Sequence, residues 1–304
     1  MKESSSVTIV NAVDNEGYIR ERTWKDATWF TVMREFFRSK TALFGFCVIC
    51  ILLLCTTFAP LICKYSPSAV SPMDSYQSPN ADHWFGTDNL GRDLFARIMY
   101  GGRYSIAIGV GAALLSVIAG IILGTIAGYF GGIVDNIILR LCDVVQNIPY
   151  VLLCIVMAAA LGNGFIPTLI ALAVISVPGI ARLLRASMLS VRNLEFVEAA
   201  KATNCSTFSI MFKHVLPNCM APIIVAFSMD CGSKIIASAA LSYIGLGVQE
   251  PTPEWGAMIS FAKTYFARYP YLTILPAIFV MLVVLSFNLI GDGLRDALDP
   301  KQKT

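Results

Sequence analysis

Charged residues are scarce in this chain. Only 14% of its 304 residues are Asp, Glu, Lys or Arg, and 56% are hydrophobic, whereas a soluble domain carries about 25% charged residues. The charges are concentrated in a few segments, and apolar runs fill the space between them. This composition excludes an ordinary soluble domain and indicates an integral membrane protein.

The sequence also lacks the motifs of several classes of enzyme. No G-x-x-x-x-G-K-[ST] loop occurs, so the chain cannot hold ATP phosphates by that means. Its two histidines, His83 and His214, lie outside the apolar runs, which argues against a Ser–His hydrolase within the membrane. Cys47 and Cys50 form a C-x-x-C pair without a second pair or a histidine, so we expect no metal site. We therefore expect a protein that is not an enzyme and holds no cofactor.

Six apolar runs are long enough to cross a bilayer, which takes about 20 residues in a helix. Because backbone amides cannot stay unpaired in lipid, we expect each run to be helical. The predicted fold class is therefore an all-α integral membrane protein with six transmembrane helices. The predicted spans are 41–62, 104–129, 139–161, 165–186, 219–246 and 271–291.

Lysine and arginine are distributed unevenly between the two sides that these spans define. With the N-terminus inside, the inner segments hold sixteen of the 23 basic residues and the outer loops hold six. An excess of basic residues marks the cytoplasmic side of a membrane protein. We therefore expect a multi-pass protein whose two termini and whose 187–217 loop are cytoplasmic.

The polar segments divide the chain into parts with different expected roles. The expected parts are a cytoplasmic tail with an amphipathic basic end at 1–40, a first span with its outer segment at 41–103, a transmembrane core at 104–292 and a cytoplasmic tail at 293–304. Before the second span, Leu94, Ile98 and Met99 share a helical face that Arg92 and Arg97 do not. This pattern predicts a helix that lies along the outer membrane surface.

Glycine and proline mark three of the spans. Gly120, Gly124 and Gly128 recur every four residues in the second span, which favours close packing against another helix over a role in lining a pore. Pro149 in the third span and Pro178 in the fourth are expected to bend their helices. Such bends face the interior of a bundle, where freed backbone groups find partners.

Ionisable residues within spans suggest functional candidates, because they are costly in lipid. Asp143 follows Arg140 by three residues, so a local ion pair is expected there. Asp230 and Lys234 lie one helical turn apart, which also allows an ion pair. Two interpretations stay open for Asp143, Asp230 and Lys234: structural pairing, or the lining of a path for a solute.

The polar segment 198–217 stands between strongly apolar runs. Glu198 would complement the positive N-terminal end of a short helix. Alanines would let a partner's surface come close, and apolar side chains would anchor it before Pro217 ends the segment. These residues are Ala199, Ala200, Ala202, Phe208, Met211 and Phe212. We interpret the segment as a docking site, with a solvated loop as the alternative.

The same segment resembles the EAA loop of ABC import permeases. The resemblance lies in Glu198, Ala199, Ala200, Leu216 and Pro217. Asn204 stands where that family usually has glycine, and asparagine tolerates a left-handed backbone. Three further segments are similar to the C-type permease subunit of dipeptide, oligopeptide and nickel importers. They are Phe85 to Asp93, Ala240 to Ile259 and Phe287 to Lys301.

The resemblance implies the fold of a type I ABC importer permease in the bacterial inner membrane. It implies a second, B-type permease subunit, two ATP-binding subunits that hydrolyse ATP, an extracytoplasmic solute-binding protein and membrane lipid as partners, and no nucleic acid. Docking at 198–217 would then drive alternating access. The binding protein would be received at 63–103 and 248–270, with Trp255 and Tyr269 as contacts.

Peptides are the expected solute, with nickel chelates or glutathione as alternatives within the same family. An ion-coupled secondary transporter is the alternative from another class. Such a transporter is expected to show inverted repeats with paired broken helices, and no convincing repeat occurs in this sequence.

Overall fold

The computed structural model describes residues 29–298, and in this range the chain forms helices and no β-strand. The helices are α1 (Trp29–Arg38), α2 (Lys40–Thr57), α3 (Ala59–Ile62), α4 (Leu94–Phe130), α5 (Gly132–Gln146), α6 (Tyr150–Leu161), α7 (Phe165–Val191), α8 (Glu195–Ala202), α9 (Thr207–Ser209), α10 (Met220–Tyr243), α11 (Trp255–Ala262) and α12 (Tyr271–Leu298). A π-helical turn (Ile210–Val215) and a 3₁₀ turn (Leu216–Cys219) join α9 to α10.

Five helical segments of the described range are long and apolar enough to cross a membrane. They are α2, α4, α7, the segment Thr207–Tyr243 that ends with α10, and α12. The pair α5 and α6 makes a sixth only if the two are counted together, because their axes differ by 89°. The predicted third span, 139–161, is thus not one straight helix.

The break between α5 and α6 falls where the sequence predicted a bend. Pro149 precedes the first residue of α6 with an extended backbone, and proline cannot donate the amide hydrogen bond that would continue a helix. Pro178 does not interrupt its helix. It lies inside α7, which continues from Phe165 to Val191.

Helix α4 corrects the prediction of a separate surface helix before the second span. Its 37 residues run without interruption, for a length of roughly 55 Å, against a hydrocarbon layer of about 30 Å. Asp93 caps it by accepting from the Ala96 amide at 2.7 Å. Arg97 is buried together with Ile98, because other segments cover both faces of this end of the helix. The boundary expected at residue 103 therefore falls inside α4. We call its Leu94 end the outer end and its Phe130 end the inner end.

The first and the last of the described helices, α1 and α12, pack against each other near the start of α2. Val32 and Phe36 of α1 are buried with Ala42 and with Ala297 of α12. Helix α12 continues to Leu298, beyond the expected end of the core at 292. The remaining parts of the two expected tails, residues 1–28 and 299–304, lie outside the described residues.

Apolar residues form two main clusters, one toward each end of α4. The cluster at the outer end is built around Trp255, Ile98 and Val283. Trp255 was expected to contact a binding protein, but it is completely buried and its indole nitrogen donates to the Ile98 carbonyl at 2.9 Å. The cluster at the inner end joins α7 to the segment that follows it, through Leu184 and Val197.

Candidate functional site

The segment 195–219 forms a small folded unit next to the Val191 end of α7, and we call it the coupling unit. Helix α8 has Glu195 and Glu198 in its first turn and Lys201 in its last, a charge order that complements the helix dipole. Val197, on its inward face, is completely buried and packs in one cluster with Met188 of α7. The unit therefore packs on α7 and is not a loop surrounded by solvent.

A left-handed residue turns the chain after α8. Asn204 has φ of 57°, as its tolerance of this conformation predicted. The turn is closed by the Cys205 amide, which donates to the Ala200 carbonyl at 3.2 Å, and by the Asn204 amide, which donates to the Lys201 carbonyl at 3.0 Å. The turn sends the chain back beside α8, so that the π-helical turn packs on it.

The two alanines of the predicted motif face opposite ways. Ala199 is exposed, whereas Ala200 is 7% exposed and packs among Ile210 and Val215. Met211, expected as an outward anchor, is also buried in this cluster. These two residues therefore support the unit from within, and a partner cannot touch them directly.

The outward face of the unit combines small, acidic and aromatic side chains. The exposed residues that we assign to it are Glu198, Ala199, Ala202, Asn204, Phe196, Phe208 and Phe212. The rings of Phe208 and Phe212 lie 4.4 Å apart and are 68% and 40% exposed. Pro217 is exposed at the far end, while Leu216 packs against the buried cluster. We call this the coupling face.

The coupling unit is connected to α4 as well as to α7. Arg192, directly after α7, donates to the carbonyls of Gly128 and Tyr129 at 2.9 and 3.3 Å. These carbonyls belong to the last turn of α4, where helical partners run out. The inner end of α4 is thereby fixed to Arg192, which follows α7 and precedes the coupling unit.

The glycines of α4 lie along its contact with α7. A Cβ at Gly120 would be 2.5 Å from Ile180, one at Gly124 would be 2.6 Å from the Ala181 carbonyl oxygen, and one at Gly128 would be 2.6 Å from the Cβ of Met188. Because these distances leave no room for a methyl group, the backbones of α4 and α7 touch along three turns. The two helices form a paired rod.

Two aspartates of α5 bind arginines of α7. Asp135 accepts from Arg185 through both carboxylate oxygens at 2.5 Å. Asp143 lies 2.5 Å from Arg182 and 3.6 Å from Arg140, so the expected local pair exists but Arg182 is nearer. Along α5 these aspartates are eight residues apart, while Arg182 and Arg185 are only three apart on α7, so α5 crosses α7 obliquely.

Asp230 and Lys234 form the ion pair that their spacing predicted, at 3.7 Å. Lys234 also donates to Ser176 of α7, and Ser116 of α4 lies 3.4 Å from Asp230. The Lys234 side chain is 6% exposed and that of Asp230 is 19% exposed. The pair thus joins α10 to both helices of the rod.

Comparison with known proteins agrees with this architecture. Residues 120–304 match the family described as the binding-protein-dependent transport system inner membrane component. Residues 27–79 match the N-terminal transmembrane domain of oligopeptide transport permease C. The first match covers more than half of the chain. The chain belongs to this permease family.

Curated relatives align with nearly the whole permease. The dipeptide transport system permease protein DppC of Alkalihalophilus pseudofirmus is 43% identical over 276 residues, 91% of either chain. The glutathione transport system permease protein GsiD of Pectobacterium atrosepticum is 39% identical, covering 91% of this chain and 92% of the relative. The di/tripeptide permease DppC of Pseudomonas aeruginosa is 41% identical over 89% of this chain and 93% of its own.

Solved structures support the fold of the permease. An inward-facing form of the MetNI methionine ABC transporter aligns with a TM-score of 0.55 and 16% identity, over 67% of this chain and 97% of that chain. A crystal structure of an amino acid ABC transporter with histidines aligns with a TM-score of 0.51 and 16% identity, over 66% of this chain and 94% of that chain. At this identity the likeness concerns the fold alone: a multi-pass permease of an ABC importer.

The permease has a further polar cluster that no sequence pattern predicted. At the outer end of α4, Arg92 and Arg97 converge on Glu250, in the loop between α10 and α11, and Asp88 lies beside them. The pattern of Leu94, Ile98 and Met99 had placed both arginines on a solvent-facing side. Their burial depends on Glu250, more than 150 residues away, and no local pattern reports such a partner.

Glu254 is a further carboxylate near the outer end, and it is completely buried. It caps α11 by accepting from the Ala257 amide at 2.8 Å, and it accepts from the Ser105 hydroxyl of α4 at 3.0 Å. Burial raises the pKa of Glu254, against the lowering effect of the hydrogen bonds from the backbone of α11 and from Ser105. The residue fixes α11 to α4 where the outer loops meet.

Proposed function

We propose that this permease forms one half of the translocation path of a peptide importer and receives an ATP-binding subunit at its coupling face. In this proposal a B-type permease forms the other half, two ATP-binding subunits hydrolyse ATP, and an extracytoplasmic binding protein delivers the solute. Both termini and the coupling unit are cytoplasmic. The observation that carries the proposal is the exposed strip of Glu198, Ala199 and Ala202 on a helix that is supported from behind.

The shape of the coupling face suits insertion into a groove. Small side chains on α8 let a partner's backbone come close, and the exposed rings of Phe208 and Phe212 offer apolar area to bury at its edge. The inward residues Val197 and Ala200 tie α8 to α7, so that a pull on α8 is passed to the rod.

The rod supplies the rest of the proposed mechanism. When the ATP-binding subunits close, the docked units move with them, and Arg192 and the glycine contacts make α4 and α7 move together. Because α4 reaches the outer loops, a displacement at the inner face alters the outer face as well. Alternation between inward-open and outward-open states is a rigid-body change of this type.

The intramembrane ion pair is our candidate for a polar part of the path. Asp230 and Lys234 lie where α10 meets the rod, so they would be rearranged as the rod moves. Asp143 is less suited to contact solute, because Arg182 and Arg140 both hold its carboxylate. We assign Asp143 to the support of α5.

Peptides are the proposed solute because relatives named for dipeptides and di/tripeptides align with nearly the full chain. Relatives named for glutathione align to a similar extent, which makes glutathione the second candidate. Both solutes carry peptide bonds and free carboxylates, so a path for short peptides would suit either.

Substitution of Ala199 tests the coupling role. Ala199→Glu puts a larger charged group on the coupling face without touching the buried cluster. We expect normal amounts of membrane-inserted protein, loss of copurifying ATP-binding subunits, and a fall in uptake of at least about tenfold, equivalent to about 1.4 kcal/mol of docking free energy. Normal uptake by this variant would refute the docking role.

Two further variants make the coupling test interpretable. Ser190→Glu adds the same charge at an exposed position of α7, outside the coupling face, and we expect it to transport normally. Ala200→Glu is unsuitable as a test of docking, because a buried carboxylate beside Val197 and Ile210 would disturb the unit itself. We expect that variant to accumulate at a lower level.

A further inference from the structure

The carboxylate of Glu250 is held by two arginines at the outer end of α4. Nη1 of Arg92 donates to Oε2 of Glu250 at 2.7 Å, and Nη2 of Arg97 donates to Oε1 at 2.6 Å. Each carboxylate oxygen therefore receives one guanidinium hydrogen bond. Charge-assisted bonds of this kind recognise carboxylates strongly and with defined geometry.

The arginines have other partners that keep them in place without Glu250. Arg92 Nε donates to Asp88 at 2.6 Å, and Arg97 Nη1 donates to the Pro67 carbonyl at 3.1 Å. The two side chains are only 4% and 2% exposed. The positions of both guanidinium groups are thus set by the outer segment and by α4, whatever carboxylate lies between them.

Glu250 is the most accessible member of this cluster. Its side chain is 25% exposed, against 9% for Asp88. It lies in the irregular loop between α10 and α11. A cleft of about 240 Å³, bounded also by Gln249, Ser260 and Phe261, reaches Glu250 from the surface. The occupant of the arginine pair can therefore be approached from outside.

The charges of the cluster restrict what can replace Glu250. Two arginines face two carboxylates, so the cluster is neutral as it stands. Removal of Glu250 alone would leave a buried positive charge without a partner, which is strongly unfavourable. Exchange for another carboxylate keeps the charge balanced.

We propose that Arg92 and Arg97 form a carboxylate-binding site that Glu250 fills in this conformation and that an incoming carboxylate takes over. The carboxylate could be the C-terminus of a peptide or an acidic side chain of a docked protein; the first source rests on the proposed function. Glu254, four residues later, still fixes the start of α11 to α4. Displacement of Glu250 therefore frees only the loop that joins α10 to α11.

Vacating the site gives a direct test on the full-length chain in lipid nanodiscs. Glu250→Ala removes the occupant and leaves the arginines, while Thr252→Ala is the matched control in the same loop, outside the cleft. The probes are the dipeptide Ala-Ala, its C-terminal amide, and a capped peptide, acetyl-Ala-Asp-Ala-amide. Binding is measured by thermophoresis at constant ionic strength.

We expect Ala-Ala to bind Glu250→Ala at least about tenfold more tightly than it binds the wild type or Thr252→Ala, because Glu250 occupies the site in most wild-type molecules. The amide should not show this gain. An equal gain for the capped aspartyl peptide would mean that any carboxylate fits, including one from a protein, whereas a gain for Ala-Ala alone would favour the peptide C-terminus. Equal affinities of Glu250→Ala and Thr252→Ala for both carboxylate probes would overturn the proposal.

Hydrogen exchange on the wild type covers the case in which Glu250→Ala folds poorly. Saturating Ala-Ala should speed amide exchange in residues 244–254 by about tenfold or more, and the amide should leave it unchanged. Unaltered exchange in these residues with bound Ala-Ala would contradict displacement. Neither result depends on docking at α8, so failure here leaves the coupling role to be decided by Ala199→Glu.

Discussion

At Gly124 the backbone of α4 comes so near to α7 that a Cβ would lie 2.6 Å from the Ala181 carbonyl oxygen and 2.9 Å from the Cβ of Leu184. The first of these atoms belongs to the backbone and cannot rotate away. A methyl group at this position must therefore push the two helices apart. The consequence reaches beyond one contact, because the same rod carries Arg192 and the coupling unit.

We expect Gly124→Ala to destabilise the permease by about 1–3 kcal/mol, the usual cost of overpacking a tight contact. Gly179→Ala is the matched control, since Gly179 has no atom within 4 Å of a built Cβ. In a helix that change is favourable by up to about 1 kcal/mol. Thermal unfolding in detergent would measure both. Equal melting temperatures for the two variants would show that the close approach has no energetic weight.

The sequence predicted the surroundings of some single residues correctly and of others wrongly. The left-handed turn at Asn204 and the spacing of the glycines followed from local chemistry, which needs no distant partner. Ala200 and Met211 were expected to face outward, yet they are buried, because the packing of α8 on the π-helical turn decides which side faces in. Such a choice depends on three-dimensional packing and on residues of α7.

Among the helices, α5 has the most unusual placement. It ends at the 89° break before α6, and it crosses α7 while two aspartates bind arginines there. The Asp135 side chain is 11% exposed and that of Arg185 is 28% exposed. The pair is thus partly shielded from water, so it is stronger than an exposed surface pair.

We expect Asp135→Asn to cost about 1.5–3 kcal/mol, the usual contribution of hydrogen bonds to a charged group. The double variant Asp135→Arg with Arg185→Asp should recover part of this loss. Arg140→Ala, which removes a side chain that is 85% exposed and 3.6 Å from Asp143, should cost less than about 1 kcal/mol. Chemical denaturation of the purified chain compares them. Loss of similar size from Arg140→Ala would contradict our account of α5.

The helices themselves were largely predictable, but their ends were not. Hydrophobic runs long enough to span a bilayer located α2, α4, α7, α10 and α12. The break at Pro149 followed from the missing amide hydrogen, but its angle depends on how α5 and α6 pack on α7. The outer end of α4 was predicted wrongly, because no local pattern distinguishes a buried arginine from a solvent-facing one. The partner of these arginines, Glu250, is distant in the sequence.

On the scale of the whole molecule, the fold places two sites at opposite ends of the rod formed by α4 and α7. The coupling face lies below the inner end of the rod, and the arginine pair lies at its outer end. The coupling face could be proposed from the sequence, since its motif is contained in about twenty residues. The arginine pair could not, since Arg97 and Glu250 meet only when α4, α10 and α11 have packed around Trp255. The overall architecture could be expected from the permease family, whereas this cluster depends on packing between residues that are far apart in the sequence.

The proposed mechanism requires that the two sites lie on opposite sides of the membrane, and the excess of basic residues on one side predicts this. Two exposed alanines can report this: Ala81 in the outer segment and Ala202 on the coupling face. We expect a membrane-impermeant maleimide to label Ala81→Cys in intact cells and to label Ala202→Cys only after permeabilisation. The unsubstituted chain gives the background of its own nine cysteines. Labelling of Ala202→Cys in intact cells would place the coupling face outside, where no ATP-hydrolysing subunit could reach it, and would remove the basis of the proposed mechanism.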